Sequence, residues 1–238
     1  MYISDNFFYF SKMNRIFTFI FLLGFSFYQV HGQKFYRIKG EYSIKAKSAD
    51  GKAQLTIGKF YYDKNIKKLV YQNSFPQKET WVSLDTSVYQ IVNEKVVSRF
   101  KSPPIGIFSI FHLVLTNQIN NYGLKNSPFT IQKVEKQGDM VITTWLPPKS
   151  LATLFGKVLI SNKNNRLFGM IFIDSKGKIL RKQFFDKYQS FRGLEFPMEI
   201  VDITYKDDKE NYQVTTYKNI EIDEVTEEYL YNFAVPKQ

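Results

Sequence analysis

Apolar and polar residues alternate with a period of two along most of this chain, which restricts most of it to β-strands. Between residues 37 and 47 the even positions are small or apolar and the odd positions are mostly charged or polar. Successive side chains of a strand point to opposite faces, so the pattern predicts a strand with one buried and one solvated face. Turn sequences rich in Asn, Asp and Gly recur along the chain. They predict some ten or eleven strands in antiparallel succession.

Two later segments depart from simple alternation. Residues 167–173 (LFGMIFI) are apolar on both faces, so this strand should be covered on each side. In residues 195–205 the apolar positions change from even (Phe196, Met198, Ile200) to odd. A bulge or bend near Ile200 would restore a single buried face, as a curved sheet requires.

One segment has helical instead of strand spacing. Residues 105–119 (IGIFSIFHLVLTNQI) carry a narrow polar stripe of Ser109, His112 and Thr116, and nearly all their other residues are apolar. A surface helix usually has a much wider polar face. We therefore expect this helix to bury two sides, or to bury one side while another faces a ligand. Shorter helices are expected around residues 149–154 and 224–231.

The N-terminal residues resemble a secretory signal peptide. Met13-Asn14-Arg15 is a short basic opening, residues 16–27 are largely apolar, and residues 30–32 (VHG) suit cleavage before Gln33. The apolar run is shorter than the roughly 20 residues that a membrane-spanning helix needs. We therefore predict a signal peptide over residues 1–32, with Met13 as the true start, and one soluble, exported domain over residues 33–238.

The chain offers little chemistry for catalysis or metal binding. It has no cysteine, and His112 is the one histidine outside the predicted signal peptide. Thiolate sites, disulfides and histidine-based metal sites are therefore not expected. A single imidazole on an apolar helix is more often a hydrogen-bonded structural residue. Carboxylates remain, and Glu195 and Glu199 share one strand face, which leaves a carboxylate hydrolase as the weakest alternative. We predict no catalytic residue and no cofactor.

The formal net charge of +11 limits the partners less than its size suggests. The lysines and arginines are dispersed beside turns and along strands, where they serve as solvated faces. Export argues against nucleic acid as a partner. A membrane surface or an acidic protein is the remaining partner for this charge, and we expect peripheral membrane contact at most.

The chain is rich in aromatic residues, with 23 Phe and 16 Tyr. Most must form the core. If the apolar helix does not pack against the curved sheet at full density, however, the gap between them is an apolar cavity. Such a cavity suits acyl chains, because each buried methylene contributes about 0.8 kcal/mol.

Several short stretches of this sequence resemble the LolA/LolB-type periplasmic carriers, the outer-membrane lipoprotein-sorting proteins. They are residues 58–62 (GKFYY), 68–71 (KLVY) with Phe75-Pro76, 81–89 (WVSLDTSVY), 103–115, Leu146-Pro147-Pro148, and 167–183 followed by Phe196-Pro197. The resemblance extends over most of residues 33–238. It implies a mainly β (α+β) fold: an open, incomplete antiparallel β-barrel whose concave face is covered by helices acting as a lid.

The resemblance also implies a function and a set of partners. Family members carry acyl chains of lipoproteins through the periplasm of Gram-negative bacteria to the outer membrane, without a cofactor. We therefore expect lipoprotein acyl chains or lipid as cargo, together with an inner-membrane release complex and an outer-membrane acceptor. Candidate lipid-binding residues are Phe60, Val70, Phe108, Phe111 and Leu115, followed by Trp81, Trp145 and Met170.

The sequence departs from the family pattern at the residue that holds the lid. Family members carry an arginine there, but residues 65–69 (NIKKL) contain none. Lys67 and Lys68 are the available substitutes, although lysine lacks the planar donor fork of arginine. Fold likeness does not choose among the functions of this scaffold. An envelope sensor or interaction module that binds lipoprotein therefore remains the main alternative to a carrier.

Overall fold

In this computed structural model, the structure describes residues 34–102, 109–153, 156–206, 209–224 and 226–237. The predicted signal peptide (1–32) lies outside these residues. Thirteen strands form one sheet in the described part of the chain. They are β1 (Arg37–Lys47), β2 (Ala53–Asp63), β3 (Lys68–Phe75), β4 (Glu79–Leu84), β5 (Ser87–Val92), β6 (Lys95–Lys101), β7 (Thr130–Gln137), β8 (Met140–Leu146), β9 (Val158–Lys163), β10 (Arg166–Ile173), β11 (Ile179–Phe191), β12 (Leu194–Lys206) and β13 (Lys209–Ile222).

The strand order places the first and last strands, β1 and β13, next to each other in the middle of the sheet. The order is β6-β5-β4-β3-β2-β1-β13-β12-β11-β10-β9-β8-β7, and the paired strands are antiparallel. The chain thus runs outward from β1 to the edge at β6, crosses to the opposite edge at β7, and returns to β13 beside β1. The edge strands β6 and β7 are not paired with each other, so the barrel is open, as the sequence predicts.

The strand count exceeds the ten or eleven predicted from turn spacing. The difference arises partly from residues 79–101, which form three strands of six or seven residues. Their connections are as short as Asp85-Thr86 and Asn93-Glu94, and Asp85, Asn93 and Glu94 all have positive φ. Asn and Asp tolerate this backbone conformation, so such tight turns need no glycine.

The helical segment predicted over residues 105–119 is shorter in the structure. Helix α1 spans Ile110–Leu115, and residues 103–108 lie outside the described residues. Ser109 caps the helix, because its hydroxyl accepts a hydrogen bond from the backbone N–H of His112 at 3.3 Å. Single 3-10 turns follow at Ile119–Asn121, Leu124–Asn126 and Lys149–Leu151, and helix α2 spans Glu228–Tyr231.

The main core lies on the face of the sheet that α1 covers, which we call the inner face. Phe111 of α1 is fully buried, and its ring stacks on Phe60 of β2 with centroids 4.1 Å apart. Phe196 and Tyr217 surround the same ring. Gly40 faces Phe60 across the β1–β2 pair, and a Cβ at position 40 would lie 3.0 Å from the Phe60 ring. Glycine there leaves room for this stack.

A smaller core lies on the opposite, outer face of the sheet. Tyr61, Val70, Val82 and Ile91 pack there beneath Leu230 and Tyr231 of α2. The Arg37 side chain bonds Asp63 at 2.6 Å and Glu228 of α2 at 3.2 Å. These contacts hold the C-terminal segment against β1 and β2.

Replacing Phe111 with alanine should destabilise the protein by about 3–5 kcal/mol, because it opens a cavity among buried aromatic rings. Urea unfolding of the purified domain measures this loss. The matched control is Phe168→Ala on β10. The Phe168 side chain is 39% exposed, so this substitution should lower the free energy of unfolding far less. Equal losses for the two variants would contradict the central position of Phe111.

Candidate functional site

A cavity of about 270 Å³ lies between α1 and the inner face of the sheet. Ser109, Ile110 and Phe111 form its helical wall. The rest of its wall comes from the inner faces of β1, β3 and β11–β13 and from Tyr122: Tyr42, Ile44, Leu69, Tyr71, Arg181, Gln183, Phe185, Ile200, Asp202, Gln213, Thr215 and Tyr217. The helix and sheet therefore interlock at Phe111 and separate near the N-terminal end of α1.

One part of this wall is polar, contrary to the apolar cavity expected from the sequence. Arg181 and Asp202 form a two-point ion pair across β11 and β12, with Arg181 Nε 2.7 Å from Asp202 Oδ1. Burial lowers the pKa of Arg181, but the hydrogen bond and the charge of Asp202 more than offset it, so the pKa rises. Gln183 and Gln213 flank Asp202 on the neighbouring strands. We call Arg181, Gln183, Asp202, Gln213 and Thr215 the polar stripe.

The polar stripe explains the parity change in residues 195–205. Of the bulge or bend predicted near Ile200, the bulge is excluded, because β12 keeps a regular register with both neighbours from Glu199 to Thr204. Ile200 and Asp202 therefore point to the same inner face. Asp202 is tolerated there because Arg181 supplies its charge partner, while Val201 and Ile203 face outward and remain partly exposed.

Four tyrosines add neutral hydroxyl groups to the cavity wall. Tyr42, Tyr71, Tyr122 and Tyr217 all line it. Burial raises the pKa of each of these side chains, so they keep their protons near neutral pH. The Tyr42 hydroxyl donates to Asn73 Oδ1. The cavity thus combines aromatic and aliphatic walls with hydroxyl, amide and ion-pair groups.

A hydrogen bond between Tyr62 and His112 connects helix α1 to the sheet. The Tyr62 hydroxyl lies 2.7 Å from His112 Nδ1. Burial lowers the pKa of His112, and the nearby charges of Lys64 and Lys67 lower it further. The imidazole is therefore neutral near pH 7. His112 has the structural, hydrogen-bonded role expected for a single histidine on an apolar helix.

Neither lysine proposed as a substitute for the family arginine bonds α1 in the structure. Lys68 is buried, and its Nζ donates to Asn232 Oδ1 at 3.0 Å and to the Phe233 carbonyl at 3.3 Å. It therefore holds the C-terminal segment on the outer face. Lys67 lies in the β2–β3 turn with a φ of 51°. The hydrogen bond between Tyr62 and His112, and not a lysine contact, joins α1 to the sheet among the described residues.

The predicted lipid-binding residues occupy several environments. Phe111 lines the cavity. Phe60, Leu115, Trp145 and Met170 are buried in the inner-face core around it, and none of the four lines the cavity wall. The structure brings Phe60 and Phe111 into direct contact but leaves no space between their rings.

Three other predicted residues lie elsewhere. Val70 pairs with Tyr61, and strand alternation directs it to the outer face beneath α2, away from the cavity under α1. Trp81 is half-buried near the β6 edge, where its ring contacts Phe100 with centroids 6.3 Å apart. Phe108 lies outside the described residues.

The carboxylates considered for hydrolysis are held in ion pairs and do not line the cavity. Glu195 lies 2.7 Å from Arg166, and Glu199 lies 2.7 Å from Lys187. Both alternate with Phe196 and Met198 of the inner core, so they point to the outer face. Among the described residues, no group of three or more His, Cys, Asp or Glu side chains is arranged to hold a metal ion.

A second concavity of about 760 Å³ lies mainly on the outer face of β1–β5. It is a groove beside the C-terminal segment, where Phe233 contributes to its wall. Its remaining wall includes Glu41, Lys59, Lys78 and Glu94. Charged side chains of both signs line this groove, whereas the cavity under α1 borders the principal core.

Comparison with solved structures identifies the fold. A LolA superfamily protein from Nitrosomonas europaea superposes with a TM-score of 0.55 at 10% identity, covering 82% of this chain and 90% of the other. A DUF1329 family protein from Desulfovibrio piger gives a TM-score of 0.52 at 13% identity, with coverage of 86% and 93%. A domain named for outer membrane lipoprotein sorting, from Vibrio parahaemolyticus, gives 0.51 at 11% identity, with 85% and 92% coverage.

These likenesses define the class of protein by its architecture. The chain has a LolA-like fold, as its sequence resemblance implied. By sequence it matches no family model and none of the curated proteins. Within the described part of the chain, no helix has the length and apolar content needed to cross a membrane.

The lowered pKa of His112 gives a testable pH dependence. The pKa of His112 is about 6.5 in the unfolded state and lower in the folded state. The stabilisation by neutral His112 is therefore lost as pH falls below about 6.5. The wild type should exceed His112→Gln in free energy of unfolding by about 1 kcal/mol near pH 7.5, and this difference should shrink towards pH 5. Urea unfolding of both proteins at several pH values measures it. A constant difference would exclude a titrating role for His112.

Proposed function

We propose that this protein is an exported carrier that binds the acyl chain of a lipid or lipoprotein in the cavity under α1. In this proposal it moves its cargo through the periplasm of a Gram-negative bacterium towards the outer membrane. The observation that carries the proposal is a partly open cavity between a helix and the inner face of an open, LolA-like sheet. Aromatic and aliphatic groups make up much of its wall, and burial of hydrocarbon there is favourable.

The attachment of α1 is suited to reversible opening. Five of its six residues are buried apolar side chains, and the sixth, His112, makes the hydrogen bond to Tyr62. Apolar contacts are not directional, so acyl chains can replace them without leaving polar groups unpaired. The helix also belongs to the connection between the two unpaired sheet edges, β6 and β7. A change in edge separation would therefore alter the space beneath it.

The cellular part of the proposal rests on the N-terminal sequence and on the fold. Residues 1–32 have the pattern of a secretory signal, and one structure with a similar fold is a domain named for outer membrane lipoprotein sorting. A carrier of this kind needs a release complex in the inner membrane and an acceptor in the outer membrane. Its own contact with membranes would be peripheral.

Filling the cavity should abolish binding of acyl chains. Thr215 of β13 is buried and lines the cavity, so Thr215→Phe places a ring inside it. Protein secreted to the periplasm and purified without detergent is extracted with organic solvent, and the extract is examined by mass spectrometry. Binding of the uncharged fluorescent probe N-phenyl-1-naphthylamine is measured in parallel. We expect the wild type to retain acyl species and bind the probe, and Thr215→Phe to lose both.

Thr216→Phe is the matched control. Thr216 is the next residue of β13 and faces outward, so its variant should behave like the wild type. Thermal unfolding of each variant monitors the cost of overpacking, which is typically 1–3 kcal/mol. Absence of acyl species and of probe binding in the folded wild type would refute the proposal. A stable signalling partner recovered from envelope extract, in place of exchangeable lipoprotein cargo, would favour the sensor alternative.

A further inference from the structure

Gln183 is a buried polar side chain in the cavity wall, and it is 6% exposed. Its Oε1 accepts no hydrogen bond from any of the described residues. A buried acceptor without a partner costs about 1–3 kcal/mol, so such groups usually mark a place for water or a ligand. Its amide presents an acceptor and a two-proton donor side by side. Gln183 can therefore pair with a group that carries both functions.

The charges around Gln183 are already balanced. Among the described residues that line the cavity, Arg181 and Asp202 are the charged ones, and they neutralise each other through two contacts. Because Asp202 neutralises Arg181, the described wall has no uncompensated positive charge that could pair with an anion. A carboxylate or phosphate entering here would lose its hydration without gaining a free cation, which is costly. The wall therefore favours an uncharged polar group.

The volume limits the length of hydrocarbon. A cavity of about 270 Å³ corresponds to roughly nine water molecules at about 30 Å³ each. A methylene group occupies nearly the same space as a water molecule. In this conformation the cavity therefore holds one short stretch of chain, and additional chains require α1 to move.

The polar and apolar walls lie in an order that suits an amphiphile. The Arg181 side chain is 41% exposed and Asp202 14%, so this end reaches solvent. Gln183 is the next inner-face residue of β11 after Arg181. Phe185 on β11 and Ile200 on β12 are the next inner-face residues beyond the Gln183–Asp202 pair. Tyr217 and Phe111 close the cavity towards the core. A chain directed towards Phe185 would leave its polar group beside Gln183.

We propose that this cavity binds a single acyl chain joined to an uncharged group that holds a hydrogen-bond donor beside an acceptor, and that Gln183 recognises this group. The inference deepens the proposed function and rests on it. Two sources carry this chemistry: the N-acyl amide at the terminus of a lipoprotein, and the glyceryl ester of a monoacyl lipid. A free fatty-acid anion lacks the donor and carries an unbalanced charge.

Three matched octanoyl probes test the proposal with the full domain. N-octanoylglycinamide represents the amide, 1-octanoylglycerol the glyceryl ester, and octanoate the anion. Each competes with bound N-phenyl-1-naphthylamine near pH 8. We expect at least one uncharged probe to displace it at roughly tenfold lower concentration than octanoate, the effect of one to two net hydrogen bonds. Preference for the amide indicates lipoprotein, and preference for the ester indicates monoacyl lipid.

Gln183→Met keeps the length of the side chain and removes both polar functions. It should weaken binding of the preferred uncharged probe about tenfold relative to binding of the naphthylamine, which has no acyl ester or amide to pair with Gln183. Gln189→Met, at an exposed position of the same strand, is the matched control and should change neither. Unchanged displacement in a folded Gln183→Met protein overturns the role of Gln183.

The wild-type comparison decides the proposal even if Gln183→Met fails to fold. Octanoate that competes as well as both uncharged probes overturns the inference but leaves the carrier function intact. If the wild type binds neither the naphthylamine nor any of the three octanoyl probes, the carrier function itself is refuted. The two proposals therefore fail in distinguishable ways.

Discussion

The contact between α1 and the inner face of an unclosed sheet determines most other features of this structure. The described strands form one sheet, so its apolar inner face needs another element to cover it, and a helix from the segment that connects β6 and β7 does so. Phe111 inserts among Phe60, Phe196 and Tyr217 and joins strands from both halves of the sheet. The same helix forms one wall of the cavity, so core packing and cavity geometry depend on one element.

The fold was largely predictable because alternation has a direct physical meaning in strands. Residues 37–47 form β1, and Tyr42 and Ile38 face the core as their parity requires. The number of strands was harder to predict, since β4 and β5 are short and the turn between them uses Asp85 without glycine. The helix was overextended because the apolar spacing of residues 116–119 fits both a helix and the 3-10 turn that begins at Ile119.

The site was predictable only in part, because its chemistry arises from strand pairing. Gln183, Asp202 and Gln213 are distant in sequence, yet pairing places them in one row across β11, β12 and β13. Residues 200 and 202 are two apart on one strand, so alternation alone would have placed Asp202 on the inner face with Ile200. Its charge made a bulge the simpler interpretation, since the ion pair with Arg181 cannot be read from either strand alone. The face of Val70 was equally inaccessible, because the turn between β2 and β3 sets its pairing with Tyr61.

The open barrel leaves two strands with unpaired backbone groups, and each carries exposed positive charge. On β6 these are Lys95, Arg99 and Lys101, and on β7 they are Lys133 and Lys136. Cationic side chains on an edge oppose the addition of another strand, although Val97 and Val134 are exposed there too. The dispersed basic residues therefore act against aggregation. Because salt screens such repulsion within about 10 Å at 0.1 M, this protection weakens as ionic strength rises.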